Sequence, residues 1–303
     1  MKIDKIGIYG LGKMGKNIAL NMLDNGYKVV AYNRSPEPRI EVSKKGAIAV
    51  SSLKELVGKL AAPRIVWLML PSGDATSDAI NELSSMLEKG DIVIDGSNSR
   101  YKDTLERYNV LKANGIKMLD AGCSGGPSGA RNGMCIMVGG EREVYGELKD
   151  FFRKLSVSDG SLYTGSAGSG HFVKMVHNAI EYGFMQSLAE GAELLDRGPY
   201  KGLNLKDIFK LWNNGSVIKS YLVELSARAM EHYPSLEGVE PYVEDSGEGR
   251  WSVDTAVEYA IPLHVISSSL FERFNSRSKK RISNRLLAAL RLEFGGHAIK
   301  TKK

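Results

Sequence analysis

The chain has 303 residues, of which 43% are hydrophobic and 25% are charged, a composition typical of one large or two modest globular domains. Its formal charge of +6 favours anionic partners, and by itself does not separate nucleic acid from phosphorylated metabolites. Cys123 and Cys135, with no histidine between them, indicate neither a disulfide framework nor a zinc site, and the longest apolar run, "IVWLML", is too short to span a bilayer. With no secretory signal pattern at the start, we expect a soluble cytoplasmic protein.

The first half alternates short apolar runs with helical patterns. Strands are predicted at "KIGIYG", "KVVAYN", "RIVWLML", "DIVIDG" and "KMLDAG", and amphipathic helices between them, as at "KNIALNMLDNG" and "ATSDAINELSSMLEKG". A further strand at "MCIMVGG" and a helix around "REVYGELKDFFRKL" close this region. The pattern predicts an α/β domain over residues 1–165, with a Rossmann-type, doubly wound, mainly parallel sheet covered on both faces.

The second half reads as an all-helical domain over residues 166–303. After the glycine-bearing crossing "YTGSAGSG", helical patterns occur from Ser169 to Asp196 and at "LKDIFKLWNN", "KSYLVELSARAMEHY", "WSVDTAVEYAI" and "PLHVISSSLFERFN". The polar stretch "EGVEPYVEDSGEGR" is a candidate functional loop, and a plain surface connection is the alternative.

A glycine motif follows the first predicted strand. "GLGKMG" places glycine where a tight turn, close backbone approach to a pyrophosphate and helix packing each require it, and the next helix offers its free N–H groups to the phosphates. We therefore predict dinucleotide binding rather than a purely structural turn. The residues assigned to it are Gly10, Leu11, Gly12, Lys13, Met14 and Gly15.

The end of the second strand indicates which dinucleotide. An NAD enzyme usually presents a carboxylate there, whereas this chain has Asn33, Arg34 and Ser35. A guanidinium forms charge-assisted bonds to a 2′-phosphate, so NADP is predicted, with NAD possible. The alternative is that Arg34 is an exposed loop charge.

Glycines also surround a predicted strand end in "DAGCSGGPSGARNG", at Ser124, Gly125 and Gly126. Ligands of open α/β sheets bind at such ends, and glycines let a substrate approach the backbone N–H groups. A purely conformational turn is the alternative reading.

Four polar residues interrupt the otherwise apolar helix "SGHFVKMVHNAIEYG". Lys174, His177, Asn178 and Glu181 are spaced by three, four and seven positions and therefore share one helix face. A potential base, an amide and a potential acid then extend over roughly 10 Å, a length that suits a small polyhydroxy acid. Ordinary surface charges around a half-buried histidine are the alternative.

Taken together, "GLGKMG", "YNRS", "DGSNS", "SGGPSGARNG" and "GSGHFVKMVHNAIEYG" resemble the 6-phosphogluconate dehydrogenases, decarboxylating enzymes of the pentose phosphate pathway. The resemblance extends over essentially the whole chain and is to the short bacterial form, which lacks much of the second helical half of longer enzymes. The serine-glycine-glycine and lysine motifs are common to the β-hydroxyacid dehydrogenase superfamily. "KMVHNAIEY" is the narrower mark of the decarboxylating branch.

The resemblance implies oxidative decarboxylation of 6-phosphogluconate to ribulose 5-phosphate without a metal. Lys174 would be the general base for the 3-hydroxyl, and Glu181 the acid that protonates carbon 1 after carbon dioxide leaves. To act as a base, Lys174 must be neutral, so its pKa has to fall below its usual value near 10.4 through desolvation or neighbouring positive charge. Asn98 would lie near the nicotinamide ribose. The implied substrate contacts are Ser124, Gly125 and Gly126 at the carboxylate, His177 and Asn178 at the hydroxyls, and Tyr182, Arg273, Arg291 and His297 at the phosphate.

In the family, the pair matching Arg291 and His297 reaches into a neighbouring subunit's site, which implies a homo-oligomer, a dimer or tetramer. Two positions depart from the longer enzymes. Ser246 stands where they have a phosphate-binding lysine, and Pro71 where they have a lysine near the coenzyme. These departures put phosphate recognition and the strength of NADP preference in question.

Two other functions compete with this reading. One is a non-decarboxylating β-hydroxyacid dehydrogenase acting on a substrate such as 3-hydroxyisobutyrate, which would need neither Glu181 nor a phosphate cradle. The other is a non-catalytic protein that uses a dinucleotide fold to recognise nucleic acid, with salt-sensitive binding and no turnover. The intact base, amide and acid favour the enzyme, with no nucleic acid and no membrane as partners.

Overall fold

The computed structural model describes residues 3–278, 281–295 and 298, and divides into a first unit, residues 1–178, and a second unit, residues 179–303. The first unit is built on one eight-stranded sheet. Its strands are β1 Lys5–Tyr9, β2 Lys28–Tyr32, β3 Ile48–Val50, β4 Ile65–Leu68, β5 Ile92–Asp95, β6 Lys117–Ser124, β7 Met134–Gly140 and β8 Ser156–Gly165. Its helices are α1 Lys13–Asp24, α2 Pro36–Ser43, α3 Leu53–Gly58, α4 Asp74–Ser84, α5 Tyr101–Ala113, α6 Gly126–Asn132 and α7 Arg142–Leu155.

The strand order in the sheet is β3-β2-β1-β4-β5-β6-β7-β8. Strands β1 to β6 pair in parallel, β7 runs antiparallel to β6, and β8 is parallel to β7. The order reverses at β1, so the loops after β1 and β4 flank a crevice of the kind in which α/β proteins bind ligands. The predicted doubly wound, mainly parallel sheet is confirmed.

Apolar side chains of the central strands pack on both faces of the sheet. In β5, Ile92 and Ile94 belong to the core formed with α1 and α7, whereas Val93 belongs to the core formed with α4 and α5. Successive side chains of a strand point to opposite faces, so a strand covered on both sides must be apolar throughout. This burial explains the continuous apolar runs of the sequence.

Two strands were not predicted from the sequence, β3 and β8. Strand β3 has three residues, too few for a periodic signal. Strand β8 lies at the edge of the sheet, and Val157 and Leu162 are 54% and 66% exposed. A strand this exposed has no continuous apolar run, which is the pattern that predicted the inner strands.

The second unit is helical in its described residues, which confirms the predicted all-α half. The chain passes from the first unit to the second within α8, Ser169–Arg197. The sequence-based boundary at residue 165 coincides with the end of β8, whereas the division between the two units falls at residue 178, inside α8. The remaining helices are α9 Leu205–Trp212, α10 Tyr221–His232, α11 Glu248–Glu258, α12 His264–Ser276 and α13 Ile282–Gly295.

The start of α8 is bound tightly to the sheet. The buried carboxylate of Asp120, on β6, accepts hydrogen bonds from the N–H groups of Gly168 at 2.7 Å and His171 at 2.8 Å. It thereby satisfies donors that the first turn of a helix leaves unpaired. A Cβ added at Gly170 would lie 2.5 Å from the Met137 oxygen and 2.6 Å from the Asp120 oxygen. The helix therefore touches the backbone of β6 and β7 where it carries no side chain.

We predict that Gly170→Ala lowers the free energy of unfolding by about 1–3 kcal/mol, because the added methyl group must displace two carbonyl groups. Gly146→Ala is the matched control, since a Cβ at Gly146 in α7 would meet nothing within 4 Å. It should raise stability by about 0.5–1 kcal/mol, because alanine favours a helix interior. Urea unfolding of both variants tests the packing, and equal stabilities would contradict it.

Candidate active site

The loop between β1 and α1 has the geometry that phosphate binding requires. Gly10 has φ +100°, and a Cβ there would collide with the Met69 oxygen. A Cβ at Gly15 would collide with the Gly10 oxygen, whereas one at Gly12 would meet nothing within 4 Å. Open space thus lies at the N-terminus of α1, which begins at Lys13, and this arrangement fits a pyrophosphate.

Asn33 at the end of β2 holds this loop in place. Its Oδ1 accepts a hydrogen bond from the Leu11 N–H at 2.9 Å, and its Nδ2 donates to the Ser35 oxygen at 3.2 Å. The Leu11 side chain is buried in the core of the sheet, and the partly buried Met14 side chain packs against the same core. Asn33 therefore shapes the dinucleotide loop.

The other predicted coenzyme residues, Arg34, Ser35 and Asn98, also follow the carboxyl ends of strands. Arg34 and Ser35 are exposed between β2 and α2, with Ser35 at the N-cap. Asn98 follows β5 and has φ +55°, a left-handed conformation that asparagine adopts more readily than most residues. Arg34 is exposed, and residues 33–35 at the end of β2 include no carboxylate.

The polar stripe of α8 meets the end of β6. The Ser124 Oγ lies 3.2 Å from Nε2 of His177, and Nδ1 of His177 lies 3.0 Å from Oδ1 of Asn178 and 3.4 Å from Nζ of Lys174. The tautomer with the proton on Nδ1 satisfies both short contacts, donating to Asn178 and accepting from Ser124. Four predicted site residues thus form one network. Gly125 and Gly126, with φ +118° and +61°, turn the chain beside it into α6.

Lys174 is 5% exposed and lies against the backbone of β6. A Cβ at Gly122 would collide with the Lys174 Cβ and lie 2.8 Å from the Gly170 oxygen, so only glycine admits the lysine at this depth. Gly122 is within the quoted "DAGCSGG" motif, but the sequence analysis assigned it no role. Burial raises the pKa of the neighbouring Cys123 thiol to about 12, which keeps that group protonated at neutral pH.

Asp120 is a second site residue that the sequence analysis missed. It is 1% exposed, and this burial raises the pKa of its carboxyl group, opposed by neighbouring His171 and the two N–H groups that it accepts from. His171 is also buried, with Nδ1 at 2.8 Å from the Thr104 Oγ1. No local pattern distinguishes an aspartate inside an apolar strand as the cap of a helix 48 positions later.

In the second unit, Tyr182 of α8 anchors a polar cluster. Its hydroxyl oxygen accepts a hydrogen bond from the Ser246 N–H at 3.0 Å, and the Arg273 guanidinium lies 3.6 Å from its ring centroid. Ser246 Oγ donates to Oε2 of buried Glu248 at 2.6 Å, and Arg273 Nη1 donates to the Glu244 oxygen at 2.7 Å. Tyr182 and Arg273, two predicted phosphate residues, are in direct contact.

An aspartate beside this cluster holds two arginines. The Asp245 carboxylate accepts hydrogen bonds from Arg250 at 2.7 and 3.0 Å and from Arg277 at 2.7 Å. These bonds, chiefly that with Arg250, lower the pKa of Asp245 to about 2. The long loop predicted before α11 is thus fixed at its end by charge pairing.

The other predicted site residues are Glu181, Arg291 and His297. Glu181 is half-buried on α8, two turns beyond Lys174. Arg291 is exposed on α13, and His297 lies outside the described residues. Across the described ranges, His, Cys, Asp and Glu side chains form no group of three or more that could hold a metal ion. No helix in the same ranges has the length and apolar character needed to cross a membrane.

Family models match both halves of the chain. Residues 5–165 match the NAD binding domain of 6-phosphogluconate dehydrogenase, and residues 170–301 match the C-terminal domain of the same enzyme. The chain belongs to the 6-phosphogluconate dehydrogenase family. The resemblance noted in the sequence is thereby confirmed.

A full-length relative has a similar size. The NAD(+)-dependent, decarboxylating 6-phosphogluconate dehydrogenase of Haloferax volcanii is 40% identical over 300 residues, which cover 98% of this chain and 99% of the relative. The family therefore includes a member that, like this chain, consists of about 300 residues.

Solved structures show the same fold. A Plasmodium falciparum 6-phosphogluconate dehydrogenase, studied alone, with its cofactor NADP+ and with its substrate 6-phosphogluconate, matches with a TM-score of 0.84 and 31% identity over 98% of this chain. This chain spans 66% of that longer one. A Salmonella typhimurium 3-hydroxyisobutyrate dehydrogenase matches with a TM-score of 0.73 at 21% identity, covering 90% of this chain and 93% of the other, which shows a common fold.

We predict that Asp245→Asn destabilises the protein at pH 7. Because the folded-state pKa of Asp245 is lowered to about 2, its stabilising contribution is present above its ordinary value of 3.8 and is lost as the pH falls towards 2. The melting temperature of the variant should be below that of the wild type at pH 7, with the difference narrowing below pH 4.

Asp150→Asn serves as the control, since the Asp150–Arg153 pair is 87% and 68% exposed and such pairs contribute little. A constant difference between wild type and Asp245→Asn from pH 7 to pH 2 would refute the role of the charge.

Proposed function

We propose that this protein oxidises and decarboxylates 6-phosphogluconate to ribulose 5-phosphate and carbon dioxide, reducing a nicotinamide dinucleotide. The proposal rests chiefly on the network that Ser124, His177, Lys174 and Asn178 form at the carboxyl end of β6. It supplies a buried amine and hydroxyl-binding groups beside a dinucleotide fold, and Glu181 follows on the same helix. The family membership supports this substrate and this reaction.

In the first step, Nζ of Lys174 accepts the proton of the substrate's 3-hydroxyl. When bound, the nicotinamide ring accepts the hydride from carbon 3. The burial of Lys174 supports this role, because desolvation disfavours the charged ammonium and favours the neutral amine that a base must be. His177 and Asn178 hold the neighbouring hydroxyls, and Ser124 with the N–H groups of Gly125 and Gly126 holds the carboxylate.

In the second step, the protonated Lys174 gives its proton to the new 3-keto oxygen, which leaves the amine neutral again. The carbon–carbon bond to the carboxylate breaks, carbon dioxide leaves, and the electron pair moves towards the carbonyl to form an enediol. Glu181 then gives a proton to carbon 1, and Lys174 takes back the enediol proton as the ketone forms. Atoms and charge balance without a metal.

For the phosphate end we propose Tyr182, Arg273, Arg291 and His297. Longer relatives use a lysine at the position of Ser246, whose hydroxyl here bonds to Glu248. The chain therefore brings less positive charge from this loop. Arg273, whose guanidinium lies over the Tyr182 ring, therefore contributes more to phosphate binding.

We propose NADP as the preferred coenzyme, with NAD accepted. Arg34 is exposed at the end of β2, and no carboxylate stands at residues 33–35 to repel a 2′-phosphate. Pro71 in place of a lysine weakens this preference, and the Haloferax relative is NAD(+)-dependent.

We also propose a homo-oligomer, a dimer or tetramer, in which the C-terminal segment completes a neighbouring site. Helix α13 exposes apolar side chains that a partner chain could cover, among them Ile282 at 79%, Leu286 at 57%, Leu287 at 60% and Leu290 at 51%. The two free cysteines, Cys123 and Cys135, suit the reducing cytoplasm that we propose as its location.

Arg34→Ala tests the coenzyme assignment. Removing a charge-assisted contact to the 2′-phosphate should raise KM for NADP by about 10- to 100-fold and leave KM for NAD nearly unchanged. Steady-state kinetics with both coenzymes measures the effect, and NAD is the internal control. Equal changes for the two coenzymes would refute a 2′-phosphate contact.

The function itself is tested by trapping carbon dioxide while coenzyme reduction is followed with 6-phosphogluconate. The wild type should release one carbon dioxide for each coenzyme reduced. Lys174→Met should lower kcat by about 10²- to 10⁴-fold, the range of general-base catalysis, while calorimetry shows nearly unchanged Kd values for substrate and coenzyme.

Lys112→Met, which replaces an exposed lysine of α5, is the control and should retain full turnover. Coenzyme reduction without carbon dioxide would indicate the non-decarboxylating alternative and remove Glu181 from its role. Retained oxidation in Lys174→Met would refute the assignment of the base.

A further inference from the structure

A buried arginine that the mechanism does not use joins two loops at the ligand-binding edge of the sheet. Arg107 of α5 is 3% exposed, and its Nη1 lies 3.2 Å from Oδ2 of Asp95, which is fully buried. The same Nη1 donates to the Ser99 Oγ at 2.5 Å. On the other side, Nε donates to the Ser77 Oγ at 3.1 Å and Nη2 to the Gly73 oxygen at 3.0 Å.

The partners of Arg107 belong to successive connections of the sheet. Gly73 and Ser77 lie at the start of α4, after β4, whereas Asp95 and Ser99 flank the turn after β5. Strands β1, β4 and β5 are neighbours, so these connections leave the sheet beside the dinucleotide loop. One guanidinium therefore bridges the β4–α4 and β5–α5 connections.

The turn after β5 depends on this charge pair. Asp95 Oδ1 accepts hydrogen bonds from the N–H of Ser97 at 3.0 Å and from its hydroxyl group, and the Ser97 and Ser99 hydroxyl oxygens lie 2.7 Å apart. Asn98, between the two serines, has its left-handed φ of +55°. Such a conformation persists where its surroundings hold it, and both flanking serines are held by the Asp95–Arg107 pair.

We propose that Arg107, paired with Asp95, is a positioning residue for the coenzyme. Arg107 fixes the distance between the turn that contains Asn98 and the start of α4, as nicotinamide binding requires. Arg107 does not itself contact the coenzyme. This inference rests on the coenzyme binding of the proposed function. A rigid fork of donors suits the task, because lysine cannot reach four acceptors in one plane.

The chain contains a matched control at the opposite edge of the same strands. Arg64 precedes β4 and donates through Nη1 to Oδ2 of Asp91, just before β5, at 2.9 Å. Asp91 is 1% exposed and Arg64 has a second carboxylate, Glu88, at 3.3 Å. Both arginines thus tie the β4 region to a buried aspartate at one end of β5, but Arg64 does so at the amino ends of the strands, away from the coenzyme loops.

The test compares Arg107→Lys with Arg64→Lys in the full chain. Fluorescence titration with NADPH, without substrate, gives the coenzyme Kd, and thermal unfolding gives stability. Each lysine keeps the charge beside its aspartate and loses the fork, so both variants should melt below the wild type. Only Arg107→Lys should raise the coenzyme Kd, by about tenfold, the effect of losing supporting contacts around a site, whereas Arg64→Lys should remain within about twofold.

Ser77→Ala provides a milder variant if Arg107→Lys does not fold, since it keeps the ion pair and removes one link to α4. It should raise the Kd about threefold, whereas Ser84→Ala on the same helix, whose hydroxyl bonds within α4, should not change it.

Several outcomes would refute the proposal. Wild-type affinity in folded Arg107→Lys or, failing that, in Ser77→Ala would refute the positioning role and leave the proposed function intact, as would equal Kd changes in the two arginine variants. If the wild type itself did not bind NADPH or NADH, the coenzyme assignment and this inference would both be wrong.

Discussion

The contact between the start of α8 and the backbone of β6 is the constraint on which the network of Ser124, Lys174, His177 and Asn178 depends. Asp120 accepts hydrogen bonds from two N–H groups at the start of α8, and Gly170 lets the helix approach the strand. Gly122 leaves room for the stem of Lys174 one turn later. Because successive residues of a rigid helix have fixed directions, this anchor also sets where His177 and Asn178 point. A small displacement of α8 would move the proposed base, Lys174, and the proposed hydroxyl-binding groups together.

Buried ion pairs have different surroundings at the amino ends and at the carboxyl ends of the strands. At the amino ends, Arg64 and Asp91 join the beginnings of β4 and β5. At the carboxyl ends, Asp95 and Arg107 form a wider network beside the dinucleotide loop, with hydrogen bonds to serine hydroxyl groups and to a glycine carbonyl group. A buried ion pair contributes little net stability when its desolvation is counted, so its value here is geometric. It gives irregular turns one conformation where a ligand must meet them.

In the second unit, two residues proposed for the substrate phosphate lie beside the N-terminus of α11. Ser246 and buried Glu248 stand at the N-terminus of α11, with Tyr182 and Arg273 beside them. Asp245 meanwhile neutralises Arg250 and Arg277. The full-length Haloferax relative indicates that a chain of this size can be a decarboxylating member of the family. The proposed phosphate contacts would then depend on residues other than a loop lysine, among them Arg273 and Arg291.

The sequence by itself determined the doubly wound sheet, the helical second half, the dinucleotide loop and the polar stripe of α8. Each of these is a periodic or local pattern, written in neighbouring residues. Only the tertiary structure decided that Asp120 caps α8, that Gly122 admits Lys174 and that Arg107 joins the β4 and β5 connections. These contacts join residues 30 to 52 positions apart, or as near as 8 in the Ser99–Arg107 pair, across different elements. Their partners are chosen by packing in three dimensions, for which a spacing along the chain contains no signal.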